Sequence, residues 1–298
     1  MLPKQLRARI EAVLSAQAGR PVQIADEHGV GGGCISNATR LRTSADAQYF
    51  LKWGRFAPGL FACEAHGLAE LAAAGAVRVP SVIACPDEVA RDDNWLLLEW
   101  LEPGRMTARA WQALGRSLAG LHQHQRDSFG WHQDNFIGSL AQGNGFSDDW
   151  PVFWRDARIL PQLETAVRSG GMAADDARRI ETMLGRVDEL AAAGNEDGAS
   201  LLHGDLWAGN VHAVAAGEAA LIDPSVYYGH REVDLAMAAL FGGFTPDFFQ
   251  AYEEAWPVQP GATERRMLYQ LYYLLVHVNL FGASYRASTL SLVARLGF

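Results

Sequence analysis

The sequence predicts an α+β protein built as two lobes, a sheet-forming front and a helical remainder. Short strand-like runs, bounded by glycine and turn residues, dominate the first hundred residues, whereas helical spacing dominates the rest. Glu102-Pro103-Gly104 separates the two regimes and suits neither kind of element. At 298 residues the chain is long for one compact core, which places a first lobe at 1–102, a second at 103–298 and a cleft between them.

Residues 4–17 repeat apolar positions at helical spacing and stop at Gly19 and Pro21. Val22 to Val30, Ala38 to Thr43 and Gln48 to Trp53 then read as an antiparallel meander, turned by Gly31-Gly32-Gly33 and by Ser44-Ala45-Asp46. Leu60 to Ala74 is helical, with Gly75 as its left-handed stop, and strands follow at Ser81 to Cys85 and Trp95 to Leu101. Beyond Pro103, helices are expected near 107–124, 147–169, 173–193, 231–241, 246–255 and 262–287. The strand candidates there are Val211 to Val214 and Ala219 to Ile222.

Composition narrows the function classes. The net charge is −9 and most of the acidic excess follows residue 100, so the surface repels nucleic acid and anionic membrane. Met1 to Arg20 lacks the apolar run of a signal peptide. Leu268 to Gly282, interrupted by Gln270, His277 and Asn279, is too short to span a bilayer. A cytosolic protein is expected. Cys34, Cys63 and Cys85 lack metal-ligand spacing and form an odd set, so reduced thiols are the simplest state.

The strongest chemical signal is His203-Gly204-Asp205-Leu206-Trp207-Ala208-Gly209-Asn210, followed after two short strands by Ile222-Asp223-Pro224. Phosphoryl transfer needs a carboxylate to take the acceptor hydroxyl's proton and hard oxygen ligands to hold Mg²⁺ on the phosphates. Asp205 and Asn210 have the Asp-x-x-x-x-Asn spacing of kinase catalytic loops, and Asp223 closes a strand where a second metal ligand belongs. The alternative is that Asp205 and Asn210 cap a turn and Asp223 opens a helix.

The front lobe favours the first reading. Lys52 ends a strand and Glu64 lies twelve residues on, upon a predicted helix, so the two can pair and aim an ammonium at nucleotide phosphates. Lys4 and Lys52 are the only lysines in a chain that otherwise uses arginine, which gives the compact ammonium at residue 52 extra weight; the alternative is a surface charge at a strand end. Gly31, Gly32, Gly33 and Ser36 join two strands, the setting of a hairpin that covers phosphates rather than of a strand-to-helix dinucleotide loop. By order along the chain, Leu96 to Leu101 is the hinge strand whose backbone, at Glu99 and Leu101, meets adenine.

Over nearly its whole length the chain resembles the fructosamine kinase (ketosamine kinase) family, relatives of aminoglycoside and choline kinases with a protein-kinase-like fold. The resemblance rests on Gly-Gly-Cys-Ile at 32–35, Phe61-Ala62-Cys63-Glu64-Ala65, His203 to Trp207 with Gly209-Asn210, and Ile222-Asp223-Pro224 followed by Val226 to Gly229. Arg231 to Met237, Phe241 to Phe244, Trp150 to Ile159 and His277 to Tyr285 extend it. It implies an ATP- and Mg²⁺-dependent kinase acting on a sugar hydroxyl of a ketosamine, small or protein-bound, in the service of deglycation. It further implies Lys52 and Glu64 as the phosphate-binding pair, Asp205 as base, Asn210 and Asp223 as Mg²⁺ ligands, and Trp207 as a wall of the acceptor site. Ala208 and His230 depart from the family's usual residues.

Other residues have quieter expectations. Asp234 is expected to brace the catalytic loop and His203 to satisfy buried carbonyls. Cys34 in the glycine loop would be a reactive thiol open to oxidative control. His122, His124 and His132 with Asp134 read as polar surface rather than as a metal site. The rival functions are a kinase of the same fold acting on an aminoglycoside, choline or a homoserine-like alcohol, and a non-catalytic nucleotide-binding protein.

Overall fold

A computed structural model describes residues 2–31, 37–86, 94–215 and 217–298. In the front lobe β1 (Ile24–Gly29), β2 (Asn37–Thr43), β3 (Gln48–Gly54), β4 (Val82–Ala84) and β5 (Asn94–Glu99) form one antiparallel sheet in the order β1-β2-β3-β5-β4. Helix α1 (Lys4–Ala18) and helix α2 (Leu60–Ala74) end as predicted, at Gly19 and Gly75, whose φ angles of 63° and 66° suit glycine.

The sheet is buried on both sides, which explains the unbroken apolar run of β5. Leu51, Trp95 and Leu97 pack with Ile10 and Leu14 of α1, while Leu96 and Leu98 join Phe61 and Leu68 of α2. Each such leucine contributes roughly 1.5–3 kcal/mol through burial. The register pairs Leu51 with Leu97 and Lys52 with Leu96, so strand alternation turns Lys52 toward the α2 side.

The helical lobe is organised by α3 (Ala108–His122), by the helix Pro246–Ala255 that crosses it, and by the buried helix Ala262–Phe281. A Cβ on Gly115 would lie 2.3 Å from the carbonyl oxygen of Phe248, so the α3 crossing depends on backbone contact. The helix expected at 147–169 is present as Trp150–Phe153 and Leu160–Arg168 joined by a π-helical stretch, Trp154–Ile159. In that stretch Arg158 turns inward to Asn144 Oδ1 at 2.7 Å and lies 3.9 Å above the Tyr227 ring.

Several expectations for this lobe need correction. Besides Val211–Val214 and Glu218–Leu221 it contains the strands Gln125–Arg126, Asn135–Ile137, Leu140–Gln142, Ala199–Leu202 and Tyr227–Gly229. These are two to four residues long, too short to set up a period. The helix expected over 173–193 breaks into Ala174–Leu184, Val187–Ala191 and Ala193–Asp197. The one expected to reach 287 stops at Phe281, because Gly282 has a φ of 88°, and resumes as Arg286–Arg295. No helix of the described residues is long and apolar enough to cross a membrane.

The joint between the lobes is held by backbone. Gly104 N donates to Ala213 O and Ala215 N donates to Glu102 O, each at 2.8 Å. A Cβ on Gly104 would meet the Val214 carbonyl oxygen at 2.1 Å. Gly104→Val is therefore expected to displace the joint, lowering the melting temperature by several degrees (about 2–4 °C per kcal/mol for a chain of this size) in a thermal melt. Unchanged melting would show that the joint tolerates the side chain.

Candidate active site

The strand Ala199–Leu202 delivers the chain into the loop that carries Asp205. Gly204 has a φ of 82°, and a Cβ there would lie 2.0 Å from the carbonyl oxygen of Ser225, so only glycine fits this turn. Asp234, fully buried on the helix Glu232–Leu240, accepts the N–H groups of His203 at 2.8 Å and Gly204 at 2.9 Å. His203 Nε2 donates to Ile222 O at 2.9 Å, while its Nδ1 accepts from Asp205 N at 3.3 Å. Those bonds use both nitrogens of a neutral imidazole, and burial lowers the ring's pKa to keep it neutral. Tyr273 Oη closes the set by donating to Gly204 O at 2.8 Å. Asp234 and His203 thus hold the loop, as their positions suggested.

His122 corrects an expectation. It is fully buried, with Nε2 3.2 Å from Asp234 Oδ2 and Nδ1 2.8 Å from Tyr252 Oη, and so supports the loop from behind. It lies on the inward stripe of α3, whereas His124, His132 and Asp134 are exposed as expected.

The five polar residues singled out in the sequence meet in one cleft. Lys52 Nζ donates to Glu64 Oε1 at 2.7 Å and also to Asp223 Oδ1. Burial alone would pull the Lys52 pKa down, but the charges and hydrogen bonds of Asp223 and Glu64 more than offset it and push it up. Burial in turn pushes the Glu64 carboxyl up, opposed by Lys52. Asp223 takes a left-handed φ of 55°, which turns the chain sharply after the strand Glu218–Leu221. Asn210 Nδ2 donates to Asp205 O at 2.8 Å and Asp205 Oδ2 at 3.1 Å, and lies 3.4 Å from Asp223 O. Burial, then the negative charge of Asp223, raise the pKa of Asp205 to about 7, with the Asn210 hydrogen bond pulling the other way.

The cleft holds about 760 Å³. Gly31, Glu99, Leu101 and Trp207 line it, while Gly32, Gly33, Cys34 and Ser36 lie outside the described residues. Glu99 spends its carboxylate on the Arg78 guanidinium and on Ser81 N at 3.1 Å. Leu101 O accepts from His212 Nε2 at 3.2 Å. Any contact of these two residues with a nucleotide therefore falls to their remaining backbone groups. The Trp207 indole folds over Gly209, where a Cβ would fall 2.2 Å from the ring. Sequence reasoning missed a further part of the lining, formed by Phe241, His277, Phe281 and Tyr285. His277 and Phe281 are four residues apart on one helical face, a spacing that reads as ordinary core until the cleft is seen.

Glu64 is also fixed from outside the cleft, because α2 is tied to the helical lobe along its length. Cys63 Sγ lies 3.5 Å from Asp134 O and His66 Nδ1 lies 3.1 Å from Gln133 Oε1. At Gly67 a Cβ would come within 3.2 Å of Val226, so helix and loop are in direct contact. One turn on, Glu70 Oε1 accepts from Tyr228 Oη at 2.8 Å and from Arg126 Nη2 at 2.9 Å, and the Arg126 guanidinium lies 4.5 Å above the Tyr228 ring.

Comparison with known proteins decides the family. The family model for fructosamine kinase matches residues 6–296. The chain belongs to the fructosamine kinase family. A probable ketoamine kinase of Synechocystis is 38% identical over 278 residues, covering 92% of this chain and 90% of that one. The chloroplastic protein-ribulosamine 3-kinase of Oryza sativa subsp. japonica is 35% identical over 280 residues, covering 92% and 80%. A crystal structure of a candidate fructosamine-3-kinase from Thermobifida fusca superposes with a TM-score of 0.85 at 34% identity, covering 96% and 98%. The two-lobed, protein-kinase-like fold read from the sequence is the fold of this family.

The fastening of α2 generates a prediction for a fructosamine kinase. Tyr228→Phe removes one hydrogen bond to a carboxylate, about 1.5–3 kcal/mol, and should lower kcat roughly tenfold through looser positioning of Glu64. Steady-state kinetics beside a melting curve would check it, and an unaltered kcat would show that the fastening does not reach the active site.

Proposed function

We propose that this chain transfers the γ-phosphoryl group of ATP to a sugar hydroxyl of a ketosamine with Asp205 as the base. The observation that carries the reading is the meeting of Lys52, Glu64, Asp205, Asn210 and Asp223 in one cleft of a fructosamine kinase family member. The family assignment favours a ketosamine over an aminoglycoside, choline or homoserine-like acceptor. A non-catalytic nucleotide-binding protein would be expected to lack one of these five residues.

Residues 1–102 act as the nucleotide-binding lobe and 103–298 as the catalytic and acceptor-binding lobe. Lys52, aimed by Glu64, takes phosphate oxygens, while free backbone groups of Glu99 and Leu101 meet adenine and Gly31, Gly32, Gly33 and Ser36 cover the phosphates. The donor set suits Mg²⁺: Asn210 and Asp223 offer hard oxygens, and three carboxylates face a single ammonium. When bound, the metal would neutralise charge on the phosphates. With Asn210 Nδ2 turned to Asp205 and toward Asp223 O, its side-chain oxygen is the atom left for such a ligand role. Trp207 offers a flat apolar face to the sugar ring.

Asp205 receives the hydroxyl proton as the oxygen attacks phosphorus. A base with a pKa near 7 holds a proton well and is still largely ionised at slightly alkaline pH. Below that pKa the carboxyl is protonated and cannot accept, so kcat/KM for the ketosamine should rise about tenfold per pH unit up to pH near 7 and level above it. A flat profile across that window would remove Asp205 from the role.

Asp205→Asn should lower kcat by about 10²–10⁴ while barely changing KM for ATP. The same substitution removes a carboxylate that the fold makes costly to ionise. The folded pKa lies above the unfolded one, so ionised Asp205 weakens the parent at alkaline pH, and the penalty fades as pH falls below about 7. The variant should accordingly melt above the parent at pH 8, with the gap closing toward pH 5. Mass analysis of the product from glycated amines tests the acceptor directly.

A further inference from the structure

We propose that His212 makes the cleft selective for adenine over 6-oxopurine bases, by taking up the Leu101 carbonyl that a guanine or hypoxanthine base would have to use. This deepens the kinase reading above, on which it rests, by naming the residue that sets the choice of nucleotide.

His212 reaches the hinge because its strand, Val211–Val214, runs alongside the chain that follows Leu101. Gly104 N donates to Ala213 O, Ala215 N donates to Glu102 O, and Pro103 forms a bridge with Val214, so the two segments are laid against each other. This pairing carries the His212 ring to Leu101, and both residues line the cleft. Nε2 lies 3.2 Å from Leu101 O, and since a carbonyl has no proton to give, the ring is the donor. Among the described residues the Leu101 N–H has no protein partner. Leu101 thus presents a free donor beside an acceptor that is already engaged. At Glu99 the N–H is used by Ser81 O at 2.9 Å, which leaves the carbonyl as the backbone group this residue can offer a base.

The two kinds of purine differ along the edge that meets such a hinge. Adenine presents a 6-amino donor next to its N1 acceptor, the complement of the Glu99 carbonyl and the Leu101 N–H. Guanine and hypoxanthine present the reverse, a 6-oxo acceptor next to an N1–H donor. In the adenine position their 6-oxo oxygen would face the Glu99 carbonyl, acceptor against acceptor. Moved along by one group, the 6-oxo oxygen can take the Leu101 N–H, but N1–H then needs the Leu101 carbonyl, and that oxygen is the one His212 holds. The next carbonyl along the hinge, Glu102 O, is engaged as well, by Ala215 N. A 6-oxopurine would therefore enter with a donor left unpaired, and unpaired polar groups in a closed site reject a ligand far more strongly than a small misfit of shape.

The experiment titrates the full chain, in the presence of Mg²⁺, with ADP and with inosine diphosphate in a calorimeter. Inosine diphosphate carries the 6-oxo edge without the 2-amino group of guanine, so the edge is read and not added bulk. The parent should bind ADP about ten- to hundredfold more tightly. His212→Leu and His212→Ala both remove the donor, one filling its volume and one not, and each should narrow that ratio by about tenfold through tighter binding of inosine diphosphate. His212→Gln, whose Nε2 can donate to the same carbonyl, should keep the ratio of the parent. Equal affinity for the two nucleotides in the parent, a ratio unmoved in His212→Leu and His212→Ala, or a ratio lost in His212→Gln overturns the role of His212, while binding of ADP leaves the kinase reading standing. A parent that binds neither nucleotide overturns the kinase reading and this one with it.

Discussion

The molecule is arranged around one buried ammonium. Lys52 projects from the central sheet of the front lobe to a carboxylate on α2 and to another on the helical lobe, so a single side chain couples three parts of the fold. Removing one partner from a buried ion pair typically costs about 3–5 kcal/mol, since the remaining charge has lost both water and partner. Much of the surrounding architecture keeps this arrangement in register. The doubly covered sheet fixes where Lys52 emerges, the ties on α2 fix Glu64, and the left-handed turn at Asp223 fixes the third member.

A second layer of constraint acts on the loop that holds Asp205. Asp234 takes two consecutive N–H groups of that loop, His203 bridges it to the strand end near Asp223, and Tyr273 holds Gly204 from the long buried helix. Each of these groups is hydrogen-bonded within the fold, so together they make the loop rigid. The surroundings of Asp205 oppose its charge, as burial opposes that of Glu64, and Asp205 is the residue proposed to accept the proton.

Much of this was legible in the amino-acid order. The strands about Lys52 and the helix bearing Glu64 follow from short apolar runs, their glycine stops and the scarcity of lysine. Asp205, Asn210 and Asp223 follow from a spacing that local backbone geometry imposes on a loop and the hairpin after it. The parts that could not be read are those created by folding at a distance. Glu70 meets Tyr228 across 158 positions, and His122 meets Asp234 across 112, separations over which no periodicity carries information. The aromatic part of the cleft lining was hidden for a related reason, since Phe241 and Phe281 look like core residues until the chain leaves them facing a cleft. The strands of two to four residues in the helical lobe exist only because neighbours supply their pairing.

The ties that run from Cys63 to Glu70 bear on control as well as on geometry. In kinases governed by signals, the helix carrying the glutamate is free to swing, and its displacement is the off state. Here that helix is joined at successive turns to the helical lobe, so a swing of α2 would have to break these contacts first.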